Sequence, residues 1–260
     1  MKQQHYRSQK TSVPKSRLII GRKPLIEALK HGADIEKIFI LKTASGEELN
    51  TIKHLAKQRA ISLSYVPIEK LDKLTQASHQ GVVAIAGLVK FYDLQEIIDQ
   101  IVDKGETPLF VLLDGITDTR NLGAIARSAY CFGAHGLILP SSNTAPITEE
   151  GIKTSAGALE KIAVCRVPSV QQAVDILKLN GIQLVATTLN DSKEMAQAPM
   201  HEPIAIVMGA EDTGVSNYVL KHAEHLVRIP MSEQFDSLNV SVAAGIVLYQ
   251  CFTQRSAADQ

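Results

Sequence analysis

The sequence predicts an α/β protein in which a small α/β domain precedes a larger domain built on a mostly parallel sheet. In the second half, short apolar segments such as P-L-F-V-L-L-D, G-L-I-L-P and I-A-I-V-M-G alternate with segments of helical periodicity. Near-continuous apolar strands between helices indicate strands that are covered on both faces. The 260 residues, 45% hydrophobic and 21% charged, leave room for one large or two modest globular domains.

The front of the chain predicts a polar tail and a small domain. Residues 1–16 contain three lysines and one arginine but no acid, so we expect a flexible basic tail, which is interpreted either as a phosphate-contacting arm or as a solvated terminus. Residues 17–90 are expected to form the domain. Its predicted elements are a short apolar segment before a turn at Gly21, a helix with Pro24 near its first turn, strands at 35–41, 62–67 and 81–89, and a helix at 47–60.

A second domain is expected at 108–256, after a linker of residues 91–107 that contains a polar helical segment at 92–104. Its apolar segments predict strands, and the periodic segments between them predict helices. The strands are expected at 108–114, 136–140, 164–168, 183–189, 204–209 and 227–231, with helices near 149–159 and 170–179 and a long final helix.

The stretch D-T-R-N-L-G-A-I-A-R-S-A at 118–129 predicts the first helix of this domain. Asn121 is expected to be its N-cap, and Gly133 is expected to end it. Arg127 follows the first apolar position by five residues, about 140° around the helix, and so points away from the buried face. Arg120 is interpreted either as a phosphate contact or as a surface residue. The apolar residues recur at i, i+3, i+4 and i+7, namely Leu122, Ile125, Ala126 and Ala129.

Composition and charge exclude several classes of protein. Three scattered cysteines without a CxxC pair support neither a disulfide framework nor a zinc cluster, and a reducing cytoplasmic location is expected. No apolar segment predicts a secretory signal or a membrane span. The zero net charge hides an asymmetry: residues 1–105 carry 17 Lys and Arg against 11 Asp and Glu, and residues 106–260 carry 10 against 16. The basic front is suited to a polyanionic partner.

Two loops follow predicted strands in the second domain and are candidate binding sites. Ligands of parallel sheets bind beyond the carboxyl ends of the strands, which directs attention to the loops after Leu113 and Met208. Gly209 ends a buried strand and allows close approach of a ligand or a second backbone segment, and Glu211 emerges just beyond it. Neither G-x-x-x-x-G-K-[ST] nor G-x-G-x-x-G occurs in the chain, which disfavours phosphate-cradling NTPase chemistry.

A third loop follows Pro230 and leads into the final helix. Ser237 or Asn239 would cap that helix, and capping accounts for only one of them. The helix sequence V-S-V-A-A-G-I-V-L-Y-Q at 240–250 is apolar nearly all round. We therefore expect burial on two sides, by its own sheet and by a second subunit, with Gly245 permitting close approach.

In order and spacing, the three loops resemble the signature motifs of the SpoU (TrmH-like) branch of the SPOUT superfamily. The intervening S-A-G-A at 155–158 also fits, and H-Q-G-V-V-A at 79–84 is similar to the small RNA substrate-binding domain often fused in front. Within the branch, the sequence most resembles bacterial enzymes that methylate a guanosine ribose in 23S ribosomal RNA. The resemblance implies a trefoil-knotted methyltransferase domain, a homodimer, and transfer of a methyl group from S-adenosylmethionine to a ribose 2′-hydroxyl.

The resemblance also assigns roles to residues. It implies that S-adenosylmethionine is held largely by backbone groups, and that no metal takes part. Because arginine keeps its proton near neutral pH, we interpret Arg127 as binding phosphate and polarising the hydroxyl rather than as a literal base. Thr119 and Glu233 stand where the family usually has Pro and Gly, which affects loop shape. The implied cofactor residues are Gly209, Ile229, Met231 and Leu238, and the implied catalytic residues are Arg127, Asn121, Glu211, Ser237 and Asn239.

Three alternatives remain beside methylation of ribosomal RNA. A tRNA is an alternative substrate of the same reaction. A non-catalytic RNA-binding protein of the same fold is a second alternative, although the polar set of the three loops argues against it. A small-molecule enzyme on a doubly wound sheet would leave the basic front domain unexplained.

Overall fold

A computed structural model describes residues 13–188, 193–232 and 237–258. Within these ranges the chain divides into an N-terminal unit, residues 13–56 and 63–87, and a C-terminal unit, residues 57–62 and 88–258. Most of the predicted tail, residues 1–12, and also Glu233 lie outside the described residues. No helix in the described ranges is both long enough and apolar enough to cross a membrane.

The N-terminal unit is built on a four-stranded sheet. Its elements are β1 (Leu18–Ile20), α1 (Arg22–Lys30), β2 (Ile35–Leu41), α2 (Glu47–Gln58), β3 (Ser62–Val66), α3 (Ile68–Leu74) and β4 (Val82–Ala86). The strand order is β1-β4-β2-β3, and β4 is antiparallel to both β1 and β2. Side-chain burial alternates along strand β2, as the period of two in a strand predicts. Ile38 and Ile40 are fully buried, and Phe39 between them is half-buried.

The C-terminal unit is built on an eight-stranded sheet. Its elements are β5 (Phe91–Tyr92), α4 (Leu94–Asp103), β6 (Leu109–Asp114), α5 (Thr119–Cys131), β7 (Gly136–Pro140), α6 (Glu149–Thr154), β8 (Ala163–Val167), α7 (Val170–Leu179), β9 (Gln183–Thr187), β10 (Lys193–Glu194), β11 (Ile204–Gly209), α8 (Asn217–His222), β12 (His225–Arg228) and α9 (Val240–Ala258). The strand order is β10-β12-β9-β11-β6-β7-β8-β5, and every paired neighbour in this described sheet is parallel. The predicted α/β class with a mostly parallel sheet is confirmed.

Two hydrophobic layers cover the parallel sheet. Alternate residues of β6 point to opposite layers: Leu109 and Leu113 pack with α5 and α9, whereas Phe110 and Leu112 pack with α4, α7 and α8. All four side chains are fully buried. Burial on both faces explains why these strands are apolar throughout instead of alternating with polar residues.

Residues 91–107 are not a linker in the structure. Strand β5 pairs with β8 at the edge of the large sheet, and α4 packs on the same sheet. The expectation of a polar segment is wrong for one face of α4, which is apolar at the spacing i, i+3, i+4 and i+7. Its buried residues are Leu94, Ile97, Ile98 and Ile101.

Several predicted elements are shorter in the structure. The helix expected near 149–159 ends at Thr154, and Gly157 adopts a left-handed φ of +82° before a 3-10 turn, Ala158–Glu160. Gly157 can adopt this conformation because it has no Cβ. The strand expected at 227–231 is His225–Arg228, and the strand expected at 81–89 is Val82–Ala86. By contrast, helix α7 has the predicted bounds, Val170–Leu179.

Candidate functional site

Helix α5 begins differently from the prediction, because Asp118 rather than Asn121 is its N-cap. The Asp118 carboxylate accepts hydrogen bonds from the backbone N–H groups of Arg120 at 2.7 Å and Asn121 at 3.1 Å. Asn121 therefore lies in the first turn, where its side chain is available for other contacts. At the other end Gly133 follows the C-cap with a φ of +74°, and the Ala134 N–H donates to Ala129 O at 2.8 Å, so the predicted stop is confirmed.

The faces of α5 are arranged as the periodicity predicts. All four apolar residues at i, i+3, i+4 and i+7 are fully buried, and Arg127 is exposed. Arg120 is also exposed, and its Nε lies 2.6 Å from a carboxylate oxygen of Glu150. This hydrogen bond and the charge of Glu150 raise the pKa of Arg120. Of the two interpretations of Arg120, the structure therefore places it in a surface ion pair.

Three polar side chains join the three loops. Glu211 Oε1 accepts from Asn121 Nδ2 at 3.0 Å and from Asn239 Nδ2 at 2.6 Å. Asn239 Nδ2 also lies 3.1 Å from Asn121 Oδ1. Asn121 is 90 positions from Glu211 and 118 positions from Asn239 in sequence. The contacts therefore fix the relative positions of loops that are distant along the chain. We call this set, Asn121, Glu211 and Asn239, the loop cluster.

Asn239 also caps α9, which decides between the two capping candidates. Its Oδ1 accepts from the Ser241 N–H at 3.0 Å and from the Val242 N–H at 3.4 Å. Asn239 thus uses its amide oxygen for the helix and its amide nitrogen for the loop cluster. Ser237 is left free to line the neighbouring cavity.

A cavity of about 430 Å³ lies at the carboxyl ends of β9, β11 and β12. Its position agrees with the rule that ligands of open parallel sheets bind at this edge. Apolar side chains form much of its wall, and backbone groups of the second and third loops lie between them. It is lined by all four predicted cofactor residues, Gly209, Ile229, Met231 and Leu238, by the predicted catalytic residues Glu211 and Ser237, and by Thr187, Met208 and Val240 among others.

Not every predicted site residue lines this cavity. Arg127, Asn121 and Asn239 are absent from its wall. Asn121 and Asn239 still contact Glu211, which does line it. Arg127, on the exposed face of α5, has no such connection within the described residues.

Gly209 is needed for the shape of the second loop. A Cβ at this position would lie 2.2 Å from both Gly214 C and Val215 N, because the loop folds back over the end of β11. The fold-back is held by the Gly214 N–H, which donates to Ala210 O at 2.8 Å. The sequence predicted close approach at Gly209, and the approaching group is the backbone of its own loop.

Sequence reasoning missed Asp114 at the end of β6. This carboxylate is 8% exposed, and it accepts from the Ser216 N–H at 2.7 Å, which ties the first loop to the second. The sequence did contain a signal for Asp114, because it is an acid at the end of a fully apolar strand. A carboxylate buried there needs a hydrogen-bond partner. Gly123 was missed as well: a Cβ there would lie 2.5 Å from Gly151 O, where α5 packs against α6.

Within the described residues, no group of three or more His, Cys, Asp and Glu side chains is arranged to hold a metal ion. Two of the three cysteines, Cys165 and Cys251, are buried, and burial raises the pKa of each thiol to about 12. Neither thiol is therefore ionised near neutral pH.

A cavity at the carboxyl ends of the strands of a parallel α/β sheet, with a polar cluster beside it, is typical of a small-ligand binding site. Residues 108–249 match the SpoU rRNA methylase family, and residues 18–91 match the RNA 2′-O ribose methyltransferase substrate-binding domain. The chain belongs to the SpoU family of RNA methyltransferases. The predicted order, a substrate-binding domain followed by the SpoU domain, is confirmed.

Relatives match over most of the chain. The putative TrmH family tRNA/rRNA methyltransferase YacO of Bacillus subtilis is 32% identical over 92% of this chain and 96% of its own length. A putative TrmH family tRNA/rRNA methyltransferase of Staphylococcus aureus is 34% identical over the same shares. Among solved structures, the SpoU methyltransferase AviRb from Streptomyces viridochromogenes in complex with AdoMet aligns with a TM-score of 0.59 and 27% identity, covering 92% of this chain and 90% of that one.

A second solved structure of this kind is the AdoMet-bound rRNA methyltransferase from Sinorhizobium meliloti. It aligns with a TM-score of 0.59 and 27% identity over 91% of this chain and 87% of that one. Both structures thus pair the fold of this chain with bound AdoMet.

Proposed function

We propose that this protein transfers the methyl group of S-adenosylmethionine to a ribose 2′-hydroxyl of RNA, with a guanosine of 23S ribosomal RNA as the target. The observation that carries the proposal is the cavity at the ends of β9, β11 and β12, whose wall contains Glu211 of the loop cluster. Two similar structures contain AdoMet, and the N-terminal match is to a substrate-binding domain for ribose methylation.

The cavity fits the cofactor in size and chemistry. Its volume of about 430 Å³ lies within the range of roughly 300–1,000 Å³ typical of small-molecule sites. Met208, Ile229 and Leu238 offer apolar wall for a purine, and the turn after Gly209 brings backbone groups to the same surface. Bound S-adenosylmethionine would supply an electrophilic methyl group.

The residues of the chain orient the nucleophile. A ribose hydroxyl is a weak nucleophile, so it must be polarised and held in line with the methyl carbon. We assign this to Arg127, whose planar guanidinium can hold a phosphate and a hydroxyl together. Glu211 and Ser237, on the cavity wall, are assigned to positioning the groups that meet there.

Because Arg127 does not line the cavity of its own chain, we propose that it serves the cavity of a second copy in a homodimer. Helices α5 and α9 expose apolar side chains for such contact: Tyr130, Val242, Tyr249 and Phe252 are 45–56% exposed. Exposed apolar surface of this kind marks an interaction site.

The proposed target is tested by mapping 2′-O-methyl groups in 23S ribosomal RNA from a strain that lacks the gene. One guanosine should lose its methyl group, and the purified protein with S-adenosylmethionine should restore it. A second candidate substrate is tRNA, because the names of the relatives cover both tRNA and rRNA. If the ribosomal pattern is unchanged and a tRNA ribose loses its methyl group, the second candidate is correct.

A further inference from the structure

Two lysine ammonium groups lie over one aromatic ring in the N-terminal unit. Lys37 Nζ lies 5.6 Å from the centre of the Phe39 ring, and Lys70 Nζ lies 6.0 Å from the same centre. Lys37 and Phe39 share one face of β2, since they are two residues apart, and Lys70 is brought there by α3. We call Lys37, Phe39 and Lys70 the ring cluster.

The charges of the ring cluster are not neutralised within the described part of the protein. Neither ammonium group lies within 4.0 Å of a described carboxylate, whereas Lys30 of the same unit is paired with Glu27 at 3.8 Å. A cation over an aromatic ring at an exposed site contributes only about 0.5–1 kcal/mol, and two ammonium groups beside one ring repel each other. The arrangement therefore contributes little to folding and leaves two positive charges available to an anion.

The chemistry of the cluster identifies its ligand. A stacked base would take the place of the ammonium groups that now lie over the half-buried Phe39 ring, and the displaced lysines would contact the adjoining phosphates. An aromatic ring with basic side chains around it is the combination used for single-stranded nucleic acid. A base within a duplex does not offer its face, so the matching ligand has an unpaired nucleotide.

We propose that the ring cluster is a binding site for an unpaired nucleotide of RNA, with the base stacked on Phe39 and the adjoining phosphates held by Lys37 and Lys70. The site would select RNA that contains an unpaired segment. This inference rests on the proposed function, since it names how the N-terminal unit holds the same substrate.

The test measures binding of a fluorescent twelve-nucleotide single-stranded RNA of mixed sequence, and of its blunt duplex, to the full-length protein at several salt concentrations. Phe39→Leu keeps an apolar side chain but removes the ring, so affinity for the single strand should fall on the order of tenfold with an unchanged salt slope. Phe39→Tyr should bind as the wild type does. Affinity for the duplex should not change in either variant.

Lys37→Gln and Lys70→Gln should each weaken binding and lower the salt slope by about 0.7, the value for one phosphate contact on a single strand. Lys30→Gln removes the same charge from a lysine that is already paired with Glu27. This variant should neither weaken RNA binding nor lower the salt slope. The proposal is overturned if Phe39→Leu binds normally, if it loses duplex and single strand alike, if Lys30→Gln matches the other lysine variants, or if the wild type does not bind the single strand.

Failure of the proposed function would give a different result. If the protein does not methylate RNA, wild-type protein transfers no labelled methyl group even at saturating RNA. The difference in oligonucleotide binding between Phe39→Leu and Phe39→Tyr would still be measurable. If only the ring cluster fails, wild-type protein still transfers the methyl group, and one of the four overturning binding results is obtained.

Discussion

At the scale of single residues, the role proposed for Arg127 in methyl transfer can be tested separately from cofactor binding. We predict that Arg127→Ala lowers single-turnover methyl transfer about a hundredfold or more, because the hydroxyl loses its positioning group. Cofactor affinity, measured by calorimetry, should stay close to wild type, since Arg127 is proposed to contact the ribose hydroxyl and phosphate and not the cofactor. Arg127→Lys keeps the charge but loses the planar fork, so its activity should also stay far below wild type.

Arg120→Ala is the matched control on the same helix, because Arg120 is already paired with Glu150. It should retain most of the activity. Near-normal turnover in Arg127→Ala would remove Arg127 from the reaction and leave α5 as a capped amphipathic helix with a solvated arginine.

A second residue-scale prediction concerns Gly209. In Gly209→Ala the new Cβ would meet loop backbone at 2.2 Å, so the turn over β11 must move. Displacing packed backbone should lower the free energy of unfolding by about 1–3 kcal/mol and weaken cofactor binding, because this turn lines the cavity. In Gly245→Ala the nearest atom would be 3.5 Å away, an ordinary contact, and cofactor affinity should be unchanged. Calorimetry that found normal affinity in Gly209→Ala would contradict this account of the loop.

At the scale of elements, Asn239 joins the cap of α9 to the loop cluster, and two substitutions separate these contributions. Asn239→Ala removes the cap and should lower the free energy of unfolding by about 1 kcal/mol. Asn239→Asp keeps the capping oxygen but puts a carboxylate next to Glu211, so cofactor binding should weaken while the cap persists. Ser169→Ala removes the cap of α7, where Ser169 accepts from the Gln172 N–H, and should lower stability without changing cofactor affinity. Equal cofactor affinities in all three variants would show that the loop cluster does not support the cavity.

The exposed apolar face of helix α9 provides a test of the proposed homodimer. Tyr249→Glu places a charge on a side chain that is 56% exposed, and it should convert the proposed dimer to a monomer in light scattering. Leu179→Glu is the control, since Leu179 is 86% exposed at the end of α7, and it should leave the dimer intact. A wild-type mass of 28.3 kDa at micromolar concentration would rule out the dimer.

Elements were more predictable than contacts. Strands such as β6 and β11 and helix α7 follow from apolar pattern and caps, which are local properties of the chain. The helix start at Asp118 was missed because Asp118 and Asn121 are both good capping residues, and only the contact of Asn121 with Glu211 distinguishes them. The tie between Asp114 and Ser216 depends on strand order, which a single sequence does not specify.

At the scale of the whole molecule, the basic front should provide most of the RNA affinity. Residues 88–105 belong to the C-terminal unit, so a truncation that tests this must start at Leu88 rather than at Glu106, because a start at Glu106 would remove β5 and α4. A start at Leu88 removes only residues 57–62 of that unit. We predict that the truncated protein binds RNA more weakly than the full chain and with a smaller salt slope, since it loses the lysines and arginines of the front. Equal affinity and equal slope in a filter-binding titration would place the RNA contacts in the C-terminal unit instead.

The loop cluster also has a consequence for biosynthesis. Asn239 lies 118 residues after Asn121, so it leaves the ribosome well after the N-terminal unit and α5. Domains fold as they emerge, beginning at the amino terminus, and contacts over long sequence separations form slowly. A nascent chain would therefore present a folded N-terminal unit well before the loop cluster is complete, and on the proposed function any RNA bound at that stage would stay unmethylated until Asn239 has emerged.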